Sequence, residues 1–208
     1  MKIYFVRHGE SEGNAGHLVQ NKKTPLSEKG RKQAEALAER LANTPIDVIY
    51  ASMYERARET ADIINKVLKK EIIYTEFLGE KKQPTEIEGK IWNDPTTASF
   101  LKARDEHQDD AAWHYSDEDN FFDFTGRVMK FFDVLEKETR ENVLVVTHGG
   151  PIATLLYRMA FGKPELTEPF YRFMDFLFMS NTGVTLCERR DNGQYKLISW
   201  NDRSHFAE

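Results

Sequence analysis

Short apolar runs that alternate with helical periodicity constrain this chain more than any other feature. Ile3 to Val6 and Val143 to Thr147 are brief and almost wholly apolar, as strands buried on both faces must be. Asp47 to Ser52 and Ile72 to Tyr74 read as two further strands. Between them the spacing changes. After Ser27, a candidate N-cap, Ala34, Leu37, Ala38 and Leu41 recur at helical intervals. Ala57, Ala61, Ile64 and Leu68 mark a second helix. Phe121, Phe124, Val128, Phe131 or Phe132, and Leu135 mark a strongly amphipathic third one. Pro151 suits the first turn of a helix that follows the strand at 143–147. Gly183 to Glu188 and Tyr195 to Trp200 read as a hairpin turning at Asp191-Asn192-Gly193. This order predicts an α/β three-layer sandwich: a mostly parallel central sheet, flanked by helices and ending in a hairpin. Residues 80–120 break the pattern. They are acidic and irregular, with Asp109-Asp110 and Asp117-Glu118-Asp119, and are expected to form a small cap inserted into one domain that spans 1–208.

Composition excludes several classes of function. Hydrophobic residues make up 40% of the 208, so the chain can bury a core and is not intrinsically disordered. Lysine and arginine number 29 against 34 acidic residues, a net charge of −5, which argues against nucleic acid as a partner. No apolar run approaches the ~20 residues of a membrane-spanning helix, so no membrane partner is expected. The single cysteine, Cys187, permits no internal disulfide and fits a reducing, cytoplasmic setting.

Two of the strands end alike. Val6 leads into Arg7-His8-Gly9, and Thr147 leads into His148-Gly149-Gly150. Ligands of open α/β sheets bind outside the carboxyl ends of strands. If the two strands are neighbours, both imidazoles face one crevice. Glycine after each histidine lets the backbone approach a ligand, and the Gly149-Gly150-Pro151 turn would aim amides at an anion. A third strand end, Ser52, leads into Glu55-Arg56-Ala57-Arg58, which puts Arg56 on the same rim. Arg7, Arg56, two histidines and a set of amides describe a site for a tetrahedral dianion, most simply a phosphoryl group.

The sequence Arg7-His8-Gly9-Glu10-Ser11 with Asn14, then Thr24-Pro25-Leu26-Ser27 with Gly30, Ser52 with Arg56-Ala57 and Thr60-Ala61, and Thr147-His148-Gly149-Gly150 resembles the histidine phosphatase superfamily. This is the phosphoglycerate-mutase-like clan with two active-site histidines. The resemblance runs from residue 2 to about 160, and weakly through Asn181-Thr182-Gly183 to the end. It implies that His8 attacks phosphorus and becomes phosphohistidine. Arg7, Arg56, His148 and the amide of Gly149 would surround the phosphoryl oxygens, with Asn14 as a neutral donor. It implies no metal and no cofactor. The general acid and base falls on Glu80, with Glu76 and Glu86 as rivals, because Lys81-Lys82-Gln83-Pro84-Thr85-Glu86 replaces the aromatic-glycine pair that commonly follows the acid. The implied activity is hydrolysis of a small phosphorylated substrate. A phosphoglycerate mutase is the alternative, but mutases of this clan are usually longer and carry a Tyr-Gly pair and a Trp-Arg-Arg run that are missing here. A binding protein without turnover is a third reading, disfavoured because Arg7, His8, Arg56 and His148 are all present. His17 is a candidate for the pocket mouth. His107, His114 and His205 are given no role. Lys81, Lys82, Lys90, Lys102 and Arg104 are candidates to meet a second anionic group. Oligomeric state is not legible.

Overall fold

Residues 1–206 are described by a computed structural model of the chain. Strand β1 (Lys2–Arg7) leads through a one-turn helix α1 (Glu12–Ala15) to helix α2 (Glu28–Leu41). Strand β2 (Val48–Ser52), helix α3 (Glu55–Leu68) and strand β3 (Glu71–Thr75) follow. Helix α4 (Pro95–His107) lies in the cap segment, and helix α5 (Phe121–Lys137) returns the chain to strand β4 (Asn142–Thr147). Helices α6 (Gly149–Phe161) and α7 (Thr167–Phe176) then precede a hairpin of β5 (Val184–Arg189) and β6 (Tyr195–Asp202).

The strands form one sheet in the order β3-β2-β4-β1-β5-β6. The first four are mutually parallel, and β5 and β6 run antiparallel. The expected α/β sandwich is therefore present, and its layers follow from side-chain alternation. Ile3, Phe5, Val143 and Val145 meet Phe124, Val128, Phe131 and Ile152 of α5 and α6 on one face. Val6, Leu144 and Val146 meet Leu37, Ala38, Ala61 and Ile64 of α2 and α3 on the other. Both faces of β1 and β4 are covered, which is why these runs lack an apolar–polar rhythm.

Local chemistry sets the helix ends. The Ser27 hydroxyl accepts from Gly30 N–H at 3.0 Å. The Asn120 side chain caps the start of α5 in reciprocal bonds with Asp123. Two glycines let the loop after β1 lie against α2: a Cβ on Gly30 would sit 1.9 Å from the Glu10 carbonyl oxygen, and one on Gly9 would sit 2.5 Å from that of Gly30. The cap segment has its own small core of Val19, Ile87 and Phe100, all buried. Burying a ring such as Phe100 contributes about 2–3 kcal/mol, enough to hold α4 over the loop at residues 18–20. Helix α7 and the one-turn α1 are absent from the expectations above. Phe170, Phe173, Met174 and Leu177 recur at helical spacing, but only Thr167 and Phe170 of α7 are fully buried.

Candidate active site

Arg7 and Thr147 are register partners across β1 and β4, so the next residue on each strand is a histidine at the same sheet edge. His8 is 3% exposed and His148 is 0% exposed, with ring centroids 5.0 Å apart. Arg56, in the first turn of α3, is buried against them and donates from Nε to His8 Nε2 at 3.2 Å. The three strand ends thus converge, as the shared His-Gly pattern predicted.

Hydrogen bonds fix both imidazole tautomers. Nδ1–H of His8 donates to the Gly9 carbonyl at 2.7 Å, which leaves the lone pair on Nε2. Ser52 Oγ accepts from Tyr54 N–H at 3.2 Å and lies 2.9 Å from His148 Nε2. Its hydroxyl is fully buried, and donation to His148 Nε2 is the arrangement that leaves no buried O–H unpaired. The proton of His148 then sits on Nδ1, which has no partner among the described residues. Burial, reinforced by the Arg56 and Arg7 guanidinium groups, holds His8 well below its ordinary pKa. The same burial, with Arg56, His8 and Arg7 beside it, does so for His148. Both rings are neutral near pH 7. Burial also pulls Arg56 down to about 10, which leaves it charged at neutral pH.

Arg7 donates from Nη1 to the Met179 carbonyl at 2.5 Å, while its buried Nε has no partner among the described residues. Asn14 accepts through Oδ1 from Ser11 N–H at 3.2 Å and from Asn181 Nδ2 at 3.4 Å, so its own amide nitrogen is its free end. Gly149 opens α6 directly after His148. The next amide is used differently from expectation: Gly150 N–H donates to Glu80 Oε2 at 3.2 Å, so this turn holds a carboxylate and does not offer both amides to an anion.

Of the three candidate acids, geometry brings only Glu80 to the histidines. Its Oε1 accepts from Lys81 N–H at 2.9 Å. Its backbone carbonyl accepts from Tyr54 Oη at 3.1 Å and Arg127 Nη2 at 3.2 Å. Glu76 and Glu86 are exposed, and Glu86 accepts from Ser116 Oγ at 3.0 Å in the cap. Arg127, from α5, also donates to the Gly79 carbonyl at 2.7 Å and pairs with Asp119 at 2.6 Å. It is the clamp that shapes this segment, and nothing in the sequence marked it.

A cavity of about 310 Å³ opens above, lined by Lys22, Tyr54, Arg56, Glu80, Lys81 and Glu88 among others. His17 is exposed and is not among its lining residues, contrary to expectation. Four of the five cationic candidates are engaged with carboxylates: Lys82 with Asp117, Lys90 with Asp94, Lys102 with Glu106 and Arg104 with Asp105. Lys81 Nζ instead donates to Tyr171 Oη at 3.2 Å. His107 stacks on Trp113, His114 lies beside Asp123, and His205 lies between Arg40 and Thr182, all outside the site. Among the described residues no group of three or more His, Cys, Asp or Glu is arranged to hold a metal ion, and no helix is long and apolar enough to cross a membrane.

Comparison with known proteins places this geometry. A metal-independent phosphoserine phosphatase of Arabidopsis thaliana is 29% identical over 99% of this chain and 83% of its own length. An adenosylcobalamin/alpha-ribazole phosphatase of Salmonella typhimurium is 31% identical over 76% of this chain and 79% of its own. The solved structure of Bacillus stearothermophilus YhfR superposes with a TM-score of 0.82 at 27% identity, covering 98% of both chains. The family model of the histidine phosphatase superfamily, branch 1, matches residues 3–203. With two neutral imidazoles at adjacent strand ends and two arginines about them, this chain belongs to that superfamily and is a phosphatase of its histidine type.

Proposed function

We propose that the chain hydrolyses a small phosphomonoester in two steps through phosphohistidine on His8, with no metal. Nε2 of His8 forms a bond to phosphorus as the ester P–O bond breaks, and Glu80 gives its proton to the leaving alkoxide. Glu80, now a carboxylate, takes a proton from water as that oxygen attacks phosphorus. The N–P bond breaks, and inorganic phosphate leaves. Arg7, Arg56, His148, Asn14 and the Gly149 amide bind the phosphoryl oxygens throughout. Phosphoryl transfer needs positioning and charge stabilisation more than covalent chemistry, and two arginines with neutral donors supply both.

One observation carries this reading. Arg7 Nε and His148 Nδ1 are buried donors without partners among the described residues, beside a histidine whose Nε2 lone pair is free of a proton. Buried polar groups are almost always satisfied, so two unpaired donors beside His8 support the reading that an oxyanion binds there. Arg56 Nε, which now bonds His8 Nε2, would turn onto the incoming oxygens. Metal independence is supported by the Arabidopsis relative's name and by a donor set already cationic. The 80–120 segment, part of one 1–208 unit, would act as the cap that selects the organic part of the substrate. The buried Cys187 fits a cytoplasmic setting.

The test is chemical trapping. A radiolabelled phosphomonoester, quenched in alkali, should leave acid-labile label on His8, and His8→Ala should abolish label and turnover together. Label on a serine or aspartate would overturn the mechanism, as would activity lost to EDTA and restored by a divalent ion. Transfer of label to a second hydroxyl compound in preference to water would reassign the chain as a mutase.

A further inference from the structure

Helices α6 and α7 and strand β6 carry an apolar surface that the phosphatase reaction does not use. Phe176 is 84% exposed, Phe178 69%, Phe161 68% and Leu197 53%. Phe161 packs on Phe173, and Phe173, Phe176, Phe178 and Leu197 share the rim of one cavity, so the patch is continuous. That cavity, about 420 Å³, is floored by Leu156, Met159, Leu177, Cys187, Tyr195 and Trp200. Strand β6 beside it is the edge of the sheet, pairing with β5 on one side only.

We propose that this face is the two-fold interface of a homodimer, and that the second copy braces the segment that holds Arg7. The size of the patch argues for a protein surface. A phenylalanine offers roughly 200 Å², so the exposed parts of three rings leave roughly 450 Å² in water, and Leu197 carries the patch past roughly 500 Å². A standard interface covers about 800 Å² per partner, and homodimer interfaces are about two-thirds apolar. The patch therefore supplies the apolar core one such interface needs. Its shape argues for a second copy of the chain. A two-fold interface must be self-complementary, and this surface presents projecting rings and an open apolar cavity side by side. A cavity of ~150 Å³ already accepts benzene, so this one has room for the benzyl group of a partner's phenylalanine. Arg158 and Glu136, which meet its Met159 and Tyr195 at a neighbouring pocket, are opposite in sign. An anionic membrane would call for a basic excess.

The patch continues directly into the active site. After Phe178 comes Met179, whose carbonyl accepts from Arg7 Nη1. Asn181 Nδ2 then donates to the His8 carbonyl at 2.9 Å, and Thr182 N–H to that of Arg7 at 2.8 Å. Packing Phe176 and Phe178 against a partner pins the backbone on which Arg7 rests. This second part stands on the reading of Arg7 as a phosphate-binding residue.

Sedimentation velocity and multi-angle light scattering read the assembly without reference to activity. The full chain should run as a dimer at micromolar concentration. Phe176→Lys should run as a monomer with an unchanged circular-dichroism spectrum, since that side chain already faces water. Phe178→Gln, a milder change, should weaken the dimer if Phe176→Lys fails to fold. Both monomeric variants should lose several-fold in kcat on p-nitrophenyl phosphate, with vanadate binding weakened in step. A monomeric wild-type chain overturns the interface, as does a dimer that survives both substitutions. Monomers with wild-type kcat overturn the bracing of Arg7 while leaving the interface standing. A chain with no phosphatase activity would overturn the functional reading and leave the mass measurement unaffected.

Discussion

Substituting Gly150 by alanine tests the placement of the acid from outside the acid itself. A Cβ at Gly150 would lie 2.2 Å from Glu80 Oε1, 3.2 Å from Glu80 Cδ and 2.9 Å from Phe124 Cζ. Non-bonded heavy atoms prefer about 3.5–4 Å, so something must move by more than about 1 Å. Phe124 is locked in the core at 3% exposure, whereas the Glu80 carboxylate is the end of a flexible side chain. The carboxylate should therefore swing away and lose its bond from Gly150 N–H. Overpacking costs about 1–3 kcal/mol, partly offset by the roughly 1 kcal/mol that alanine gains over glycine in a helix, so the fold should survive. Activity should not. A misplacement of ~1 Å can cost ~10²-fold, within the ~10²–10⁴-fold range of general acid–base help. For an alkyl phosphate kcat/KM should fall by at least ~10²-fold, equal to about 2.7 kcal/mol of transition-state stabilisation. The first step with p-nitrophenyl phosphate should fall far less, because nitrophenolate leaves without a proton. Steady-state kinetics on both substrates, a thermal melt and a vanadate titration separate the effects. If Gly150→Ala folds, binds vanadate and turns over the alkyl substrate within about threefold of wild type, Glu80 does not serve from this position.

Three further outcomes follow from the same geometry. Glu80→Gln should give a burst of one nitrophenolate per enzyme followed by a slow phase, since in the proposed mechanism hydrolysis of the phosphohistidine also uses this carboxylate; rapid-quench kinetics without a burst, or with the burst moved to Glu76→Gln or Glu86→Gln, reassigns the base. Ser52→Ala removes the donor to His148 Nε2 at 2.9 Å. Leaving that nitrogen unpaired costs ~1–3 kcal/mol, so kcat/KM should drop ~10-fold or more and the ¹⁵N shifts of His148 should report the other tautomer; unchanged shifts refute the assignment. Finally, stability should fall with acid. His8 and His148 are held neutral below their ordinary pKa, so below about pH 6.5 the unfolded chain binds protons that the native one refuses. Unfolding free energy therefore rises with pH in that window, by up to ~1.4 kcal/mol per pH unit for each ring. Denaturant melts from pH 5 to 7 should show this slope, with His8→Asn flattening it; a slope that His8→Asn leaves unchanged contradicts the buried neutral ring.

The layers and the two histidines were legible because burial and strand ends leave marks within a few residues of one another. Ile3 to Val6 and Val143 to Thr147 read as doubly covered strands, and each carried its histidine within two positions of its end. Contacts made across the sequence left no such mark. Arg127 reaches Glu80 from a helix read only as an apolar stripe, and Met179 and Asn181 hold Arg7 and His8 from a stretch without rhythm. The sequence put Glu80 ahead of its rivals Glu76 and Glu86 only through the family resemblance, and the bond from Gly150 N–H now gives it a position beside His148 that neither rival has. Helix α7 has only the short apolar stripe of Phe170, Phe173 and Met174, blurred at its ends by the exposed Leu166 and Phe176.

The place of β1 within the sheet also governs when the protein becomes active during its own synthesis. Lys2 pairs with Asn142 on one side and Glu188 on the other, so the strand bearing His8 has no sheet neighbour from the first two-thirds of the chain. At roughly 5–20 residues per second, the ribosome takes roughly 10–40 s to reach β5 after making β1. Before β4 is made Ile3, Phe5 and Val6 have neither neighbour, and one edge of the strand stays uncovered until β5 follows; uncovered strand edges are where aggregates recruit. Such distant pairings slow folding. A nascent chain stalled before residue 142 holds Arg7 and His8 but not His148 or the strand that aligns them. The site is therefore completed late, after β4 lies between β1 and β2 and residues 179–182 reach Arg7 and His8.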